Sequence, residues 1–347
     1  MRTRYSEDQE AVGEVFGDMF AREATPEAVR AAAERHGFDR TLWVKLAQAG
    51  APGMAAPAGE GGGGASLVDL AVVVHEWGRR IAPVPLVEHA VTARLLCSEA
   101  GRSAPTDLRE AVVSGELVAT LALRPPAADG IARLVPAGAV AEVVAGIRGE
   151  TLVLGRSEPP VTARPNTADL PLADRDLSDA ETLAAGEPAR LAFQDALTEW
   201  KALMAVAYAG LAAEVLAMGV AYVNQRYQFG VPVGSFQAVQ HGLADAATRA
   251  EGARLLAFRA ACAVDAGQAG GARLASMALL FGAESARFAS DRVLQYHGGY
   301  GYSAEYDVQL YYRRAAAWLL QLGEPAAEMA QLADDDLGPK RPSGKAA

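Results

Sequence analysis

Residues 295–302 read Gln295-Tyr296-His297-Gly298-Gly299-Tyr300-Gly301-Tyr302, and residues 226–230 read Arg226-Tyr227-Gln228-Phe229-Gly230, with Ser235-Phe236-Gln237 shortly after. Both are aromatic, glycine-bearing breaks between long apolar-periodic segments. Three such segments lie near 195–227, 235–265 and 270–296, and a shorter one lies near 304–320. Long helices joined by short breaks imply an antiparallel four-helix bundle over 191–337. The helix carrying Arg226 is expected to end at Gly230. That places a cation at a helix C-terminus, where the dipole tolerates it.

Upstream the texture changes. The runs LVATLAL, VAEVVAGI and ETLVLG are rich in Val and Leu and are separated by Gly, Pro and Asp, which marks a small β domain over 116–190. The stretch PPVTARPNTADLPLADRD has room for short edge strands only. Residues 1–115 read as a helical domain. Ser6 caps a helix over 6–24, Pro26 opens one over 26–35, a third covers 42–49, Ser66 caps LVDLAVVVHEWGRR, and another runs over 87–100. The Gly61–Gly64 run reads as a flexible loop, since it lacks the Lys-Ser/Thr of a phosphate loop. The tail 338–347 is polar and reads as disordered. The fold class is therefore mainly α with a small β domain between two helical regions.

Of 347 residues, 51% are hydrophobic and 21% charged, as in a globular chain, and the net charge is −10. An acidic surface repels nucleic-acid backbones. Cys97 and Cys262 stand alone, without zinc-type spacing, so no metal site is expected and a reducing cytoplasm fits. The N-terminus has no apolar signal core, and no membrane span is expected.

At the two glycine-bearing breaks, and at Tyr312-Arg313-Arg314 beyond them, the chain resembles the acyl-CoA dehydrogenase family. The stretch from Trp43 to Arg80 resembles it too, with a Gly/Pro-rich loop before a helix and a turn at Glu76-Trp77-Gly78-Arg79. The resemblance implies FAD as cofactor, an acyl-CoA substrate, α,β-desaturation, a tetramer, and an electron-transfer acceptor protein as partner. It implies that Arg226 reaches the FAD pyrophosphate of a neighbouring subunit and that Phe229 packs near the adenosine. Gln295, Gly298, Gly299 and Gly301 would line the ADP, and Gln237 would complete the polar lining. His241, His297, Trp200 and Trp318 read as packing residues.

The chain departs from the family's pattern where the chemistry is done. The slot of the family's Glu-Gly base holds Leu322-Gly323, with Glu324 two residues on. A minority of the family places the base on the long bundle helix, which falls here near Trp200-Lys201, with Glu199 beside it. A general base must lie within hydrogen-bond reach of the proton it takes, so Glu324 and Glu199 stand as candidates outside the expected slots. The family's Thr-Glu-Pro and Gly-Ser-Asp segments, which hold the flavin ring, are replaced by a stretch containing Arg124-Pro125-Pro126. This combination resembles the partner subunits of two-gene α2β2 acyl-CoA dehydrogenases of bacterial sterol breakdown. Two other readings are a self-sufficient homo-oligomer with a relocated Glu base and a non-catalytic scaffold.

Overall fold

Capping chemistry sets where the first helices begin. The structure, a computed structural model, describes residues 4–160 and 162–337. Helix α1 (Glu7–Glu23) opens on a capping box in which the Gln9 amide donates to the Ser6 hydroxyl and the Ser6 amide donates to the Gln9 side chain. Thr25 caps α2 (Pro26–Ala33), Asp39 caps α3 (Arg40–Gln48), and Ser66 with Asp69 forms a second capping box for α4 (Leu67–Arg80). Helix α5 (Leu86–Cys97) is buried nearly all round. Helix α6 (Thr106–Val113) has two turns, too few for periodicity to mark it in the sequence. The glycine-rich loop before α4 is pinned rather than slack. The amides of Gly63 and Ala65 donate to the carbonyls of Gly53 and Met54 at 3.0 and 2.9 Å.

The middle region forms a four-stranded sheet in the order β1 (Ala119–Leu121), β3 (Val143–Arg148), β4 (Thr151–Arg156), β6 (Glu181–Ala185). Strands β1 and β3 are parallel, and the other pairs are antiparallel. A separate antiparallel pair joins β2 (Ile131–Val135) to β5 (Ala173–Asp176). The three apolar runs of the sequence become β1, β3 and β4. Among the described residues the turn-rich stretch contributes only the short β5. Strand β2 is five residues long and interrupted by Arg133, and β6 mixes charged and small residues, so neither stands out as an apolar run.

Helix α7 (Glu187–Gln225) is the axis of the molecule, about 58 Å long at 1.5 Å per residue. Its most apolar window is long enough to cross a membrane, but 67% of that window is buried inside the protein. It packs on α4, α8 (Gln237–Asp265) and α9 (Gly271–His297), with α10 (Val308–Ala317) and α11 (Pro325–Leu337) closing one flank. Helix α4 crosses α7 with the two backbones in contact. A Cβ on Gly78 would lie 2.2 Å from the Ala207 carbonyl oxygen, and one on Gly210 would lie 2.2 Å from that of His75. Gly78 is therefore a helical packing position, not part of a turn, since α4 continues through Arg80. Trp200, Trp318 and Tyr208 fill the interior. The tail over 338–347 lies outside the described residues.

Candidate functional site

The C-terminal end of α7, the N-terminal end of α8 and the C-terminal end of α9 meet at one pole of the bundle. Helix α7 stops at Gln225, not at Gly230. Arg226 already has extended backbone (φ −85°, ψ 123°) and starts a two-residue hairpin, β7 (Tyr227–Gln228) to β8 (Val231–Pro232). The turn residues are Phe229 and Gly230 at φ 53° and 82°, both left-handed, as a tight hairpin turn requires. The Val233 amide closes the loop by donating to the Arg226 carbonyl at 2.7 Å. Phe229 is 94% exposed at the tip. Its ring meets Phe236 edge-on at 6.3 Å and is otherwise in water; an aromatic residue so placed in a left-handed conformation is unfavourable twice over.

The Arg226 guanidinium stands over the Tyr300 ring at 5.7 Å and makes no side-chain hydrogen bond or ion pair among the described residues. Tyr222 stacks on His297 with centroids 3.8 Å apart, which fixes α7 to the end of α9. Gln237 opens α8, and Gln295 lies in the last turn of α9; both are exposed. The structure thus gathers every proposed cofactor residue at one pole, though the glycines divide in role. Gly298, at φ 60°, and Gly299 have nothing within 4 Å of where a Cβ would stand. A Cβ on Gly301 would meet the Leu294 carbonyl oxygen at 2.5 Å, so Gly301 is held by packing against its own chain. Tyr227, Tyr300 and Tyr302 are also exposed here, making the pole a polar patch rimmed with aromatic rings.

Around the family's base slot the side chains pack on this chain's own core. Leu322 is half-buried and packs on the main core. Arg124, just past β1, reaches across so that a Cβ on Gly323 would lie 3.6 Å from its Cδ; its guanidinium donates to the Arg133 carbonyl at 3.3 Å. Trp200 is fully buried, and its indole N–H donates to Glu88 at 3.4 Å. Trp77 stacks on Trp318 at 5.0 Å. The space left among Trp77, Trp318, Glu88, Arg314 and Gln321 is a cavity of about 30 Å³.

Neither candidate base faces this cavity. Glu199 is clamped in a two-pronged pair by Arg94, with both N–O distances 2.8 Å, and it borders a separate cleft of about 830 Å³ between the C-terminal end of α5 and the N-terminal end of α7. Glu324 is exposed beside a cleft of about 540 Å³ that Lys201, Leu322 and Glu328 share. There Lys201 is engaged by Ser276 at 3.1 Å and by Glu328.

Burial pushes the Glu88 carboxyl above the usual carboxylate range. Burial also pulls the neighbouring His89 down to about 4. His89 Nδ1 accepts from the Ala119 amide at 3.0 Å, so Nε2 carries the proton shared with the Val112 carbonyl at 2.9 Å. His89 is therefore a neutral strut between α5, α6 and β1. Sequence reasoning missed Glu88 as a site neighbour; Arg124 and Arg314 stood out in the sequence only as a departure from the family's pattern and as a part of it. Among the described residues no group of His, Cys, Asp and Glu could hold a metal ion.

Comparison with known proteins bears on this geometry. The family described as "Acyl-CoA dehydrogenase, C-terminal domain" matches residues 191–333, and "Acyl-CoA dehydrogenase, N-terminal domain" matches residues 6–106. Acyl-CoA dehydrogenase IpdE2 of Mycolicibacterium smegmatis is 32% identical over 330 residues, covering 94% of this chain and 98% of that protein. Among solved structures, a variant of the Tcur3481–Tcur3483 steroid ACAD superposes with a TM-score of 0.83 at 28% identity, covering 94% of this chain and 97% of that one. The ChsE4–ChsE5 complex from Mycobacterium tuberculosis contains a chain with TM-score 0.82 at 24% identity, covering 98% and 100%. The last likeness speaks for the fold alone.

Proposed function

We propose that this chain, which belongs to the acyl-CoA dehydrogenase family, is the non-base subunit of a two-chain enzyme and completes a flavin site whose ring pocket and base lie on a partner. The observation that carries this reading is the pole built on Arg226. It presents an unpaired guanidinium, an open backbone turn at Gly298-Gly299 and an outstanding Phe229, all directed away from the chain's own interior.

These residues fit one end of FAD and not the other. A guanidinium fork matches a pyrophosphate, and the bare turn lets backbone approach the ADP portion. The ring end does not fit: Arg124 lies against Gly323, and no carboxylate occupies the base slot. FAD carries the hydride chemistry when bound. This chain's share is to hold the ADP end and to bring the partner into register. The name of one structural relative, a steroid ACAD of two paired components, favours a bulky steroid-derived acyl-CoA as the complex's substrate.

The test is expression alone and together with an acyl-CoA dehydrogenase chain that has intact Glu-Gly and Thr-Glu-Pro segments. Purified alone, the chain should carry little flavin, and the co-purified complex should show a full flavin spectrum and desaturate acyl-CoA. A fully yellow, active protein from expression alone would overturn the proposal in favour of a self-sufficient enzyme. A colourless, inactive complex would favour a scaffold.

A further inference from the structure

We infer that the small cavity beside the stacked indoles is a binding site for one monovalent inorganic anion of chloride size, held by Arg314. Arg314 lies on α10 and is only 6% exposed. Its guanidinium makes no hydrogen bond or ion pair among the described residues. The carboxylate that acts on it electrostatically, Asp169, is already taken by Arg313 at 2.8 Å. Burial pulls the Arg314 pKa down to about 10, which leaves it charged at neutral pH. A charge withdrawn from water and left without a partner is strongly unfavourable, and buried charges are accordingly paired.

The cavity supplies the place for a counter-ion. It is bounded by Trp77, Trp318, Pro83, Glu88, Arg314 and Gln321 and measures about 30 Å³. One water needs roughly 10–15 Å³ on this measure, so a single small ion fits and an acyl group does not. Glu88, also 6% exposed, lines the same cavity but makes no ion pair with Arg314 among the described residues; it accepts from the Trp200 indole, and burial pushes its carboxyl above the usual carboxylate range. When protonated it offers an O–H donor to the cavity. The pocket therefore joins a buried cation to a carboxyl that does not pair with it, and the Asp169 carboxylate that acts on the cation is shared with Arg313. The cavity lies where α10, the connection from α4 to α5, and the segment holding Leu170 and Pro171 come together. An anion there would tie α10 to the connection from α4 to α5.

The test uses the full chain, alone or in its complex, and does not depend on flavin. Crystals grown in sodium bromide should show an anomalous peak within hydrogen-bond distance of the Arg314 guanidinium. At constant ionic strength, replacing gluconate with chloride should raise Tm, and Arg314→Met should abolish that rise. A cavity holding only water in bromide crystals, or a chloride response unchanged in Arg314→Met, would overturn the assignment. If the variant does not fold, the bromide map of the natural chain decides alone.

Discussion

The pole at Arg226 and the crevice at Leu322 are both built by the same long helices, yet they have opposite character. At the pole, the Arg226 guanidinium makes no hydrogen bond or ion pair among the described residues, the Gly298-Gly299 turn is open, and Tyr227, Phe229, Tyr300 and Tyr302 are exposed. Around the base slot the side chains are tied to this chain: Leu322 packs on the core at the edge of the cleft beside Glu324, Trp200 is buried on α7, and Arg124 lies over Gly323. The contrast separates two ways in which a residue is kept. Side chains in the crevice serve the fold of this chain. At the pole, Tyr222, His297 and Gly301 also serve it, whereas Arg226, Phe229 and the Gly298-Gly299 turn are left facing outward, where another molecule can meet them.

The sharpest way to break this comparison is to exchange the effects. Trp200→Ala should cost about 3–5 kcal/mol of stability, the range for emptying a large buried aromatic site. Flavin content of the assembled complex should stay unchanged. Denaturant melts and the flavin spectrum measure the two sides. A lost flavin with intact stability would mean that the crevice is a working site after all.

Arg226→Ala should do the reverse. It should weaken flavin binding in the complex by about 1.5–3 kcal/mol, as for a hydrogen bond to a charged group. It should leave the melting curve in place, because the side chain is exposed. Arg226→Lys should recover only part of the affinity, since lysine lacks the planar fork. Equal flavin affinity in the Ala variant would reduce Arg226 to a solvated helix end.

A smaller effect concerns pH. His89 titrates near 6.5 when unfolded and is pulled down to about 4 by burial. The unfolded chain therefore binds the proton first, and stability should fall as pH drops through that window. Glu88 works the other way. Its folded pKa is raised, so its contribution is present at low pH and is lost as pH rises through the folded value. Comparing the natural chain with His89→Gln isolates the first term: the variant should lose less stability between pH 6.5 and 4. Parallel melting curves across that range would show that His89 is not the neutral strut described.

The smallest expected effects fall on the two candidate bases. Glu324→Gln and Glu199→Gln should each leave turnover of the assembled complex within a few-fold of the natural enzyme. Loss of a true base costs about 10²–10⁴-fold, so steady-state rates decide the matter. A fall of that size, with flavin still bound, would move the base to this chain.

The sequence by itself determined the order of helical, β and bundle regions, the capped helix starts, and the set of residues now gathered at the pole. These are local properties or fixed-spacing motifs, and periodicity, caps and glycines express them without reference to distant contacts. It also showed that Leu322 stands where a base was expected. Tertiary structure alone decided the rest. It ended α7 five residues early and turned Arg226-Phe229-Gly230 into a hairpin, because the backbone must reverse before α8 can pack. It made Gly78 a crossing point and Gly301 a packing residue, distinctions that depend on which backbone lies within 3 Å. It aimed Glu199 at Arg94, and buried Arg314 with no hydrogen bond or ion pair among the described residues. Residue type and spacing carry no record of such pairings, because they arise between segments far apart in the chain.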